Sequence, residues 1–124
     1  MVVEIQELVK KAHENARSHG FWEDYEAAKM ILIECIMLND KKEDIIKNNI
    51  NNAIATRLML ITSEISEALE GLRKNDYENF KEELADVAIR LGDLCGGLDI
   101  DLESEILKKM EKNQTRSYKH GKTF

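Results

Sequence analysis

The sequence predicts an all-α protein, and both composition and periodicity support this class. The 124 residues include no proline and only six glycines. Apolar residues recur at spacings of three and four along the chain, which is the pattern of amphipathic helices. The length is close to that of a common single domain, so we expect one domain over residues 1–124, with a polar tail over residues 114–124.

Composition disfavours several classes of protein. Hydrophobic residues make up 43% and charged residues 34% of the chain, a balance that is typical of soluble globular proteins and too polar for a membrane protein. The net charge of −6 disfavours binding to nucleic acid backbones. The N-terminal stretch shows no targeting signal, so a cytoplasmic location is expected. Cys35 and Cys95 lack metal-binding spacing and are predicted to be reduced core residues.

Two helices are predicted in the N-terminal third. The first covers about Val3–Ser18 and ends near Gly20, because glycine commonly terminates helices. The second covers about Glu23–Leu38 and is broken by a polar run over residues 39–44, in which Asp40 is a candidate cap. The first helix carries an apolar stripe, formed by Ile5, Leu8, Val9, Ala12 and Ala16.

A helical hairpin is predicted in the centre of the chain. Its first helix covers about Ile45–Arg73, with an interruption expected at residues 48–52, where four asparagines lower the helix propensity. A short turn leads to the second helix of the hairpin, over about Tyr77–Cys95, which ends at the glycine pair 96–97. Because the turn is short, we expect the two helices to pack antiparallel.

A fifth, shorter helix is predicted after the glycine pair. Asp101 is suited to cap its N-terminus, because a carboxylate accepts hydrogen bonds from the first free backbone N–H groups. The helix is expected to reach about Asn113, and polar residues follow it. The sequence therefore predicts about five helices in all.

The two hairpin helices each place a pair of acids beside an apolar stripe. Both pairs have a spacing of three, and in an antiparallel hairpin they face one another. The acids are Glu64 and Glu67 on the third helix and Glu83 and Asp86 on the fourth. The stripes, which we expect to form the core, are Leu58, Ile61, Ile65, Leu69 and Leu72 on the third helix and Phe80, Leu84, Val87, Leu91, Leu94 and Leu98 on the fourth.

Four facing carboxylates predict a bound cation. They repel one another by about 1 kcal/mol per pair at 4 Å in bulk water, and by about four times as much near a protein surface. Mg²⁺ suits the position because it takes oxygen ligands and bridges protein carboxylates to phosphates, and Mn²⁺ is its expected substitute. Glutamate-rich surface helices also produce such pairs without any metal, so periodicity alone leaves both interpretations open.

Two segments carry a resemblance to a known family. Residues 60–70, with the sequence LITSEISEALE, and residues 82–90, with the sequence EELADVAIR, resemble the MazG-like branch of the all-α NTP pyrophosphatases. The end of the chain, from Lys109, is also similar to small MazG-like proteins, so the resemblance spans about residues 58–124. The family pattern, E-x-x-E followed by E-x-x-D, falls on Glu64, Glu67, Glu83 and Asp86.

The resemblance implies a magnesium-dependent nucleotide pyrophosphohydrolase. Such an enzyme hydrolyses a nucleoside triphosphate, here a (d)NTP or an aberrant NTP, to the monophosphate and pyrophosphate. In the implied mechanism a metal-activated water attacks the α-phosphorus, and the four acids are both metal ligands and catalytic residues. The implied assembly is a homodimer or homotetramer that completes an oligomeric helical bundle. Base and sugar preference do not follow from the sequence.

Four further residues are candidate substrate contacts. Lys109 and Asn113 share a face of the fifth helix and Arg116 follows in a basic tail, and the resemblance implies that they contact the substrate. Trp22 offers an aromatic face on which a nucleobase can stack. The alternatives are a solvated terminal segment for the first three residues and a place in the core for Trp22.

A second hypothesis comes from a different class of function. The same acidic face suits a non-catalytic helical module that regulates or binds a partner and senses a nucleotide without hydrolysing it. The two hypotheses differ in one measurable respect, because only the enzyme releases pyrophosphate.

Overall fold

The computed structural model describes residues 4–39 and 41–124, and within these ranges its regular elements are all helices. Their bounds are α1 Ile5–Ser18, α2 Glu23–Met37, α3 Glu43–Arg73, α4 Tyr77–Gly97 and α5 Leu102–Gln114, followed by a short 3₁₀ helix at Tyr118–Gly121. The predicted all-α class with five helices is confirmed. Two predicted details, a helix start at Val3 and a cap at Asp40, lie outside the described residues.

The third helix, α3, is continuous over 31 residues, so the interruption expected at residues 48–52 is wrong. The four asparagines of this range are exposed. Ile50, Ala53 and Ile54 pack against the core cluster around Trp22. Burial of these apolar side chains therefore outweighs the low helix propensity of asparagine, as is common when tertiary packing supports a helix.

The helices α3 and α4 form the predicted antiparallel hairpin. Asp76 caps α4, because its side chain accepts a hydrogen bond from the backbone N–H three residues further on, at 3.1 Å. Near the turn the helices approach closely at Gly71, where an added Cβ would stand 3.0 Å from the backbone nitrogen of Phe80. Farther from the turn, Arg90 on α4 reaches Glu64 on α3. The acid-bearing segments of the two helices are therefore neighbours.

The hydrophobic core lies where the first four helices meet. Trp22 is 1% exposed and packs with Tyr25 and Leu94, and its ring is edge-on to that of Tyr25 at 5.1 Å between centroids. Gly97, at the end of α4, faces the indole so closely that an added Cβ would stand 2.0 Å from it. Both cysteines are buried thiols, as predicted.

The prediction that the apolar stripes of the hairpin form the core is wrong for most of their length within one chain. Leu94 is the one stripe residue of the two helices that is buried. Helix α1 packs against one side of α4. The five helices leave much of the remaining surface of the hairpin uncovered. Six stripe residues are between 39% and 54% exposed, and we call them the open hairpin residues: Leu58, Ile65, Leu69, Leu72, Leu84 and Leu91.

The fifth helix, α5, begins at its predicted cap. The Asp101 carboxylate accepts a hydrogen bond from the backbone N–H of Ser104 at 3.1 Å. The helix touches α1 but has no buried residue, and the segment that follows it is exposed. Throughout the described ranges, every helix is too short or too polar to cross a membrane.

Candidate metal centre and substrate cleft

Three acids of the hairpin converge into a candidate metal centre. One carboxylate oxygen from each of Glu64, Glu83 and Asp86 lies within 4.8 Å of the other two. Glu64 belongs to α3, whereas Glu83 and Asp86 lie about one turn apart on α4, so the antiparallel hairpin brings the three together. Oxygens that share one Mg²⁺ at about 2.1 Å are at most about 4 Å apart. The spacing of the three acids is therefore close to the spacing that a shared hard divalent ion requires.

The charges of this cluster are only partly compensated. Arg90 Nε donates a hydrogen bond to Glu64 Oε1 at 2.7 Å, and this bond is the main reason that the pKa of Glu64 lies below its ordinary value. The pKa of Glu83 is raised, first by its hydrogen bond with Glu64, then by desolvation and by the charges of nearby acids. One arginine therefore neutralises part of the cluster, and a divalent cation suits the remainder.

A cleft of about 690 Å³ opens beside the acids, a size that is usual for a small-molecule site. Its walls come from α1, the start of α2, α3 and α4. Glu64 and Asp86 line one end, and Arg90 lies next to them. Leu60 and Ile89 supply apolar wall in the middle. The cleft therefore combines acids, a cation and apolar surface.

Arg57 fixes the start of α2 at the other end of the cleft. Its side chain is 11% exposed and lies two turns before Glu64 on α3. The guanidinium donates to the Asp24 carboxylate at 2.8 Å and to the backbone carbonyl of Phe21 at 2.7 Å. It also stacks over the ring of Trp22, 4.0 Å from the centroid. The hydrogen bond from Arg57 holds the pKa of Asp24 below its ordinary value.

Asp93 lies at the same end of the cleft as Arg57, two turns after Asp86 on α4. Its Oδ1 accepts a hydrogen bond from Trp22 Nε1 at 2.7 Å and lies 3.1 Å from Nδ1 of His13. The side chain is 20% exposed and lines the cleft. The carboxylate is therefore held by α1 and by the residue that precedes α2 while it still faces the cleft.

The structure gathers three of the four predicted metal ligands. Glu67 lies one turn beyond Glu64, is exposed and stands outside the three-acid cluster, although its charge contributes to the raised pKa of Glu83. The predicted substrate contacts on α5 and just after it are exposed and do not line the described cleft: Lys109, Asn113 and Arg116.

The prediction that Trp22 stacks on a nucleobase is wrong, because this side chain belongs to the core. The guanidinium of Arg57 lies over the ring, Gly97 packs against its six-membered part, and its N–H is bonded to Asp93. With 1% of its surface exposed, no ring face is available to a base. The adjacent Phe21 is 71% exposed and lines the cleft instead.

Two cleft residues, Arg57 and Asp93, have no assigned role in the sequence prediction. The available signal was spacing, since Arg57 precedes Glu64 by seven residues and Asp93 follows Asp86 by seven. Positions seven apart lie on the same face of a helix, so both residues continue the faces that carry the acids. Phe21 gave no such signal, because the packing of a loop decides which of two adjacent aromatics enters the core.

These features define a class, namely all-α proteins in which an antiparallel hairpin carries a carboxylate cluster beside a cleft. The family model of the MazG nucleotide pyrophosphohydrolase domain matches residues 53–120, more than half of the chain. The chain therefore belongs to this family, which confirms the predicted family resemblance. The match includes the three acids, Arg57 and Asp93, and it leaves out α1, α2 and the first part of α3. Comparisons with curated proteins and with solved structures gave no match.

Proposed function

We propose that the protein is a magnesium-dependent nucleoside triphosphate pyrophosphohydrolase that produces the monophosphate and pyrophosphate. Family membership supports the reaction class. The observation that carries the proposal is the cluster of Glu64, Glu83 and Asp86 at one end of a 690 Å³ cleft. Hard oxygen donors beside an arginine suit a divalent cation and the phosphates that accompany it. Mn²⁺ is expected to replace Mg²⁺, and a cytoplasmic location is part of the proposal.

We assign the acids their roles from their positions. Glu64, Glu83 and Asp86 would hold the cation, which when bound supplies Lewis acidity and positive charge at the phosphates. Glu67 completes the family pattern and lies one turn from Glu64 but outside the cluster, so we propose that it accepts the proton of the attacking water rather than holding the cation. The water oxygen forms a new bond to the α-phosphorus, the bond between that phosphorus and the bridging oxygen breaks, and pyrophosphate leaves.

Cationic side chains would stabilise the charge that develops on the phosphoryl oxygens. Arg90 is the first candidate, because it lines the cleft with 42% of its side chain exposed and already touches Glu64. Lys109, Asn113 and Arg116 remain predicted substrate contacts. Since they lie outside the cleft of their own chain, this role requires a movement of the C-terminal segment or a contribution from a second copy.

Pyrophosphate release from a panel of canonical and modified NTPs and dNTPs, with Mg²⁺ or with EDTA, tests the proposal. We expect release only with metal. Glu64→Gln and Asp86→Asn should each lower kcat/KM by more than about 100-fold, because residues that merely orient metal ligands already contribute about 10- to 100-fold. Glu70→Gln is the matched control, since it makes the same change on α3 outside the cluster and should retain activity.

The outcomes separate the two function hypotheses. Metal-dependent release that both variants abolish supports the enzyme and its site. If no nucleotide is hydrolysed while Mg²⁺ still raises the Tm through these carboxylates, the enzyme proposal fails and the non-catalytic nucleotide-sensing module replaces it. Activity that survives in both variants would place the reaction elsewhere in the molecule.

We also propose that the working form is a homodimer or homotetramer. The chain exposes 9749 Å², whereas a compact monomer of 14.3 kDa exposes roughly 6,800 Å². The difference, roughly 2,900 Å², exceeds the 800 Å² or so that each partner buries in a standard interface. The open hairpin residues supply apolar surface of the kind that obligate interfaces bury, and so do Met30, Ile33 and Met37 on α2.

Sedimentation equilibrium at micromolar concentration tests the assembly. Leu69→Glu places a charge among the open hairpin residues and should shift the protein towards the monomer mass. Asn52→Glu, at an exposed polar position of the same helix, serves as the control and should leave the mass unchanged. A wild-type monomer with full activity would contradict this proposal without affecting the reaction.

A further inference from the structure

The two ends of the cleft differ chemically, and we infer that the end at Asp93 selects the nucleobase. Specifically, Asp93 accepts a hydrogen bond from the exocyclic amino group of cytosine or adenine and disfavours bases that carry a carbonyl oxygen in the same place, such as uracil, thymine, guanine and hypoxanthine. The inference rests on the proposed function, because it assumes a nucleotide whose α-phosphate lies at the acid cluster.

The position of Asp93 along α4 suits a base. It follows Asp86 by seven residues, which at 1.5 Å per residue is about 10 Å along the helix axis. Both residues line the same cleft. The separation is comparable with the distance from the phosphate to the base in a nucleoside monophosphate. A substrate with its α-phosphorus at Asp86 therefore brings its base to Asp93.

The Asp93 carboxylate is oriented before any ligand arrives. Its Oδ1 is held by the indole N–H of Trp22 at 2.7 Å and lies 3.1 Å from the His13 ring nitrogen. Among the residues that the structure describes, none forms a hydrogen bond with Oδ2. An ionised carboxylate offers about four acceptor positions, so Asp93 keeps capacity for a donor from the cleft. A fixed and partly desolvated acceptor discriminates well between bases. A base that places no hydrogen-bond donor against the carboxylate leaves it unpaired, and this costs binding energy.

The chemistry of the bases sets the direction of the preference. An ionised carboxylate only accepts hydrogen bonds, so it attracts an amino group and opposes a carbonyl oxygen in the same place. Cytosine and uracil differ in this respect at position 4, where one carries an amino group and the other a carbonyl. Acidic side chains accept from the cytosine amino group in nucleic acid recognition for the same reason. Phe21, exposed on the cleft wall, offers a stacking face to every base alike.

Two matched substrate pairs test the inference, namely dCTP with dUTP and dATP with dITP, because one member of each pair carries an amino group where the other carries a carbonyl oxygen. For the wild type we expect kcat/KM to be at least about tenfold higher for the amino-bearing member. Asp93→Asn keeps a carbonyl oxygen for Trp22 and His13 and turns an amide donor towards the cleft. The dCTP to dUTP ratio should therefore fall below one, whereas a purely structural role predicts equal loss on all substrates.

Two controls separate base selection from stability. Cys95→Ala changes a buried residue two positions from Asp93 that does not line this cleft, so it should lower the Tm and leave the ratios unchanged. Phe21→Ala should lower kcat/KM for both members of a pair alike. Ratios that stay within about twofold of wild type in Asp93→Asn, or a uniform loss on every substrate, overturn the inference.

The binding of α,β-methylene analogues to the wild type keeps the test decisive if Asp93→Asn does not fold. Tighter binding of the dCTP analogue than of the dUTP analogue supports base selection, and equal binding of the two overturns it. If no nucleotide yields pyrophosphate but the analogues still bind with this preference, the enzyme proposal fails while the base preference stands.

Discussion

The two halves of α4 lie in different surroundings. In the C-terminal half, Gly92, Leu94 and Cys95 are buried against α1 and the core around Trp22. In the N-terminal half, no residue from 77 to 90 is buried, although this half carries two of the three clustered acids. Because α4 is a rigid helix, the packing of its C-terminal half also fixes the position of the acids in its exposed N-terminal half. Changes at the two ends should therefore separate stability from activity.

The largest effect on stability is expected from Trp22→Ala at the packed end. Removing a large buried aromatic side chain leaves a cavity, so we expect a loss of about 3–5 kcal/mol in the free energy of unfolding. Urea denaturation followed by circular dichroism measures this loss. Phe21→Ala is the matched control, and because Phe21 is 71% exposed its loss should stay below about 1 kcal/mol. Similar losses at both positions would show that the core is not centred on Trp22.

A smaller loss of stability is expected from Gly97→Ala, also at the packed end. The new methyl group would stand 2.0 Å from the indole of Trp22, and such overpacking costs about 1–3 kcal/mol. Gly92→Ala is the control, because its methyl group would meet Val9 at an ordinary 3.5 Å and should be tolerated. Thermal melts of both variants measure the difference. Equal Tm values would mean that the close approach of α4 to the indole of Trp22 does not require glycine at position 97.

At the open end, Glu83→Gln should raise the Tm in the absence of metal. The change removes one negative charge from a cluster in which Arg90 compensates only part of the repulsion. The same variant should lose most of the increase in Tm that Mg²⁺ gives the wild type. Thermal melts with EDTA and with Mg²⁺ measure both effects. A lower Tm in EDTA would show instead that the acids support the fold.

The smallest effect is a pH dependence at Asp24, which joins α2 to Arg57. The hydrogen bond from Arg57 lowers the pKa of Asp24, so the stabilisation is complete above the unfolded value of about 3.9 and is lost as the pH falls through the lower folded value. With 61% of the Asp24 side chain exposed, we expect at most about 1 kcal/mol. Urea titrations should show Asp24→Asn to be less stable than wild type at pH 7 and equal to it near pH 2. A difference that persists near pH 2 would not come from the ionised carboxylate.

The parts of the fold that local chemistry determines could be predicted from the sequence. The cap at Asp101 needs only a carboxylate a few residues from free N–H groups, and the glycine pair at 96–97 marks the end of α4 closely. The spacing of the acids, together with the family pattern, placed Glu64, Glu83 and Asp86 on facing helices. Each of these inferences uses contacts within a few residues or across one short turn.

The wrong predictions concern packing between distant segments. The asparagines of α3 stay helical because neighbouring apolar residues reach the core, and local propensity contains no information about that contact. Trp22 is buried against residues far along the chain, such as Arg57 and Gly97, and local sequence contains no information about these contacts. The stripe around Leu69 is apolar enough for a core, but the sequence does not say whether its own chain or a second copy covers it.

The continuity of α3 has a consequence for the order in which the molecule folds. Its asparagine-rich half is helical where Ile50, Ala53 and Ile54 meet the core, so an isolated peptide of this half should be largely unstructured. Helix formation there should therefore depend on the docking of α2 and Trp22, and the helix continues without a break to Glu64. The acid cluster and the N-terminal helices should therefore open together, as one cooperative unit, in native-state hydrogen exchange.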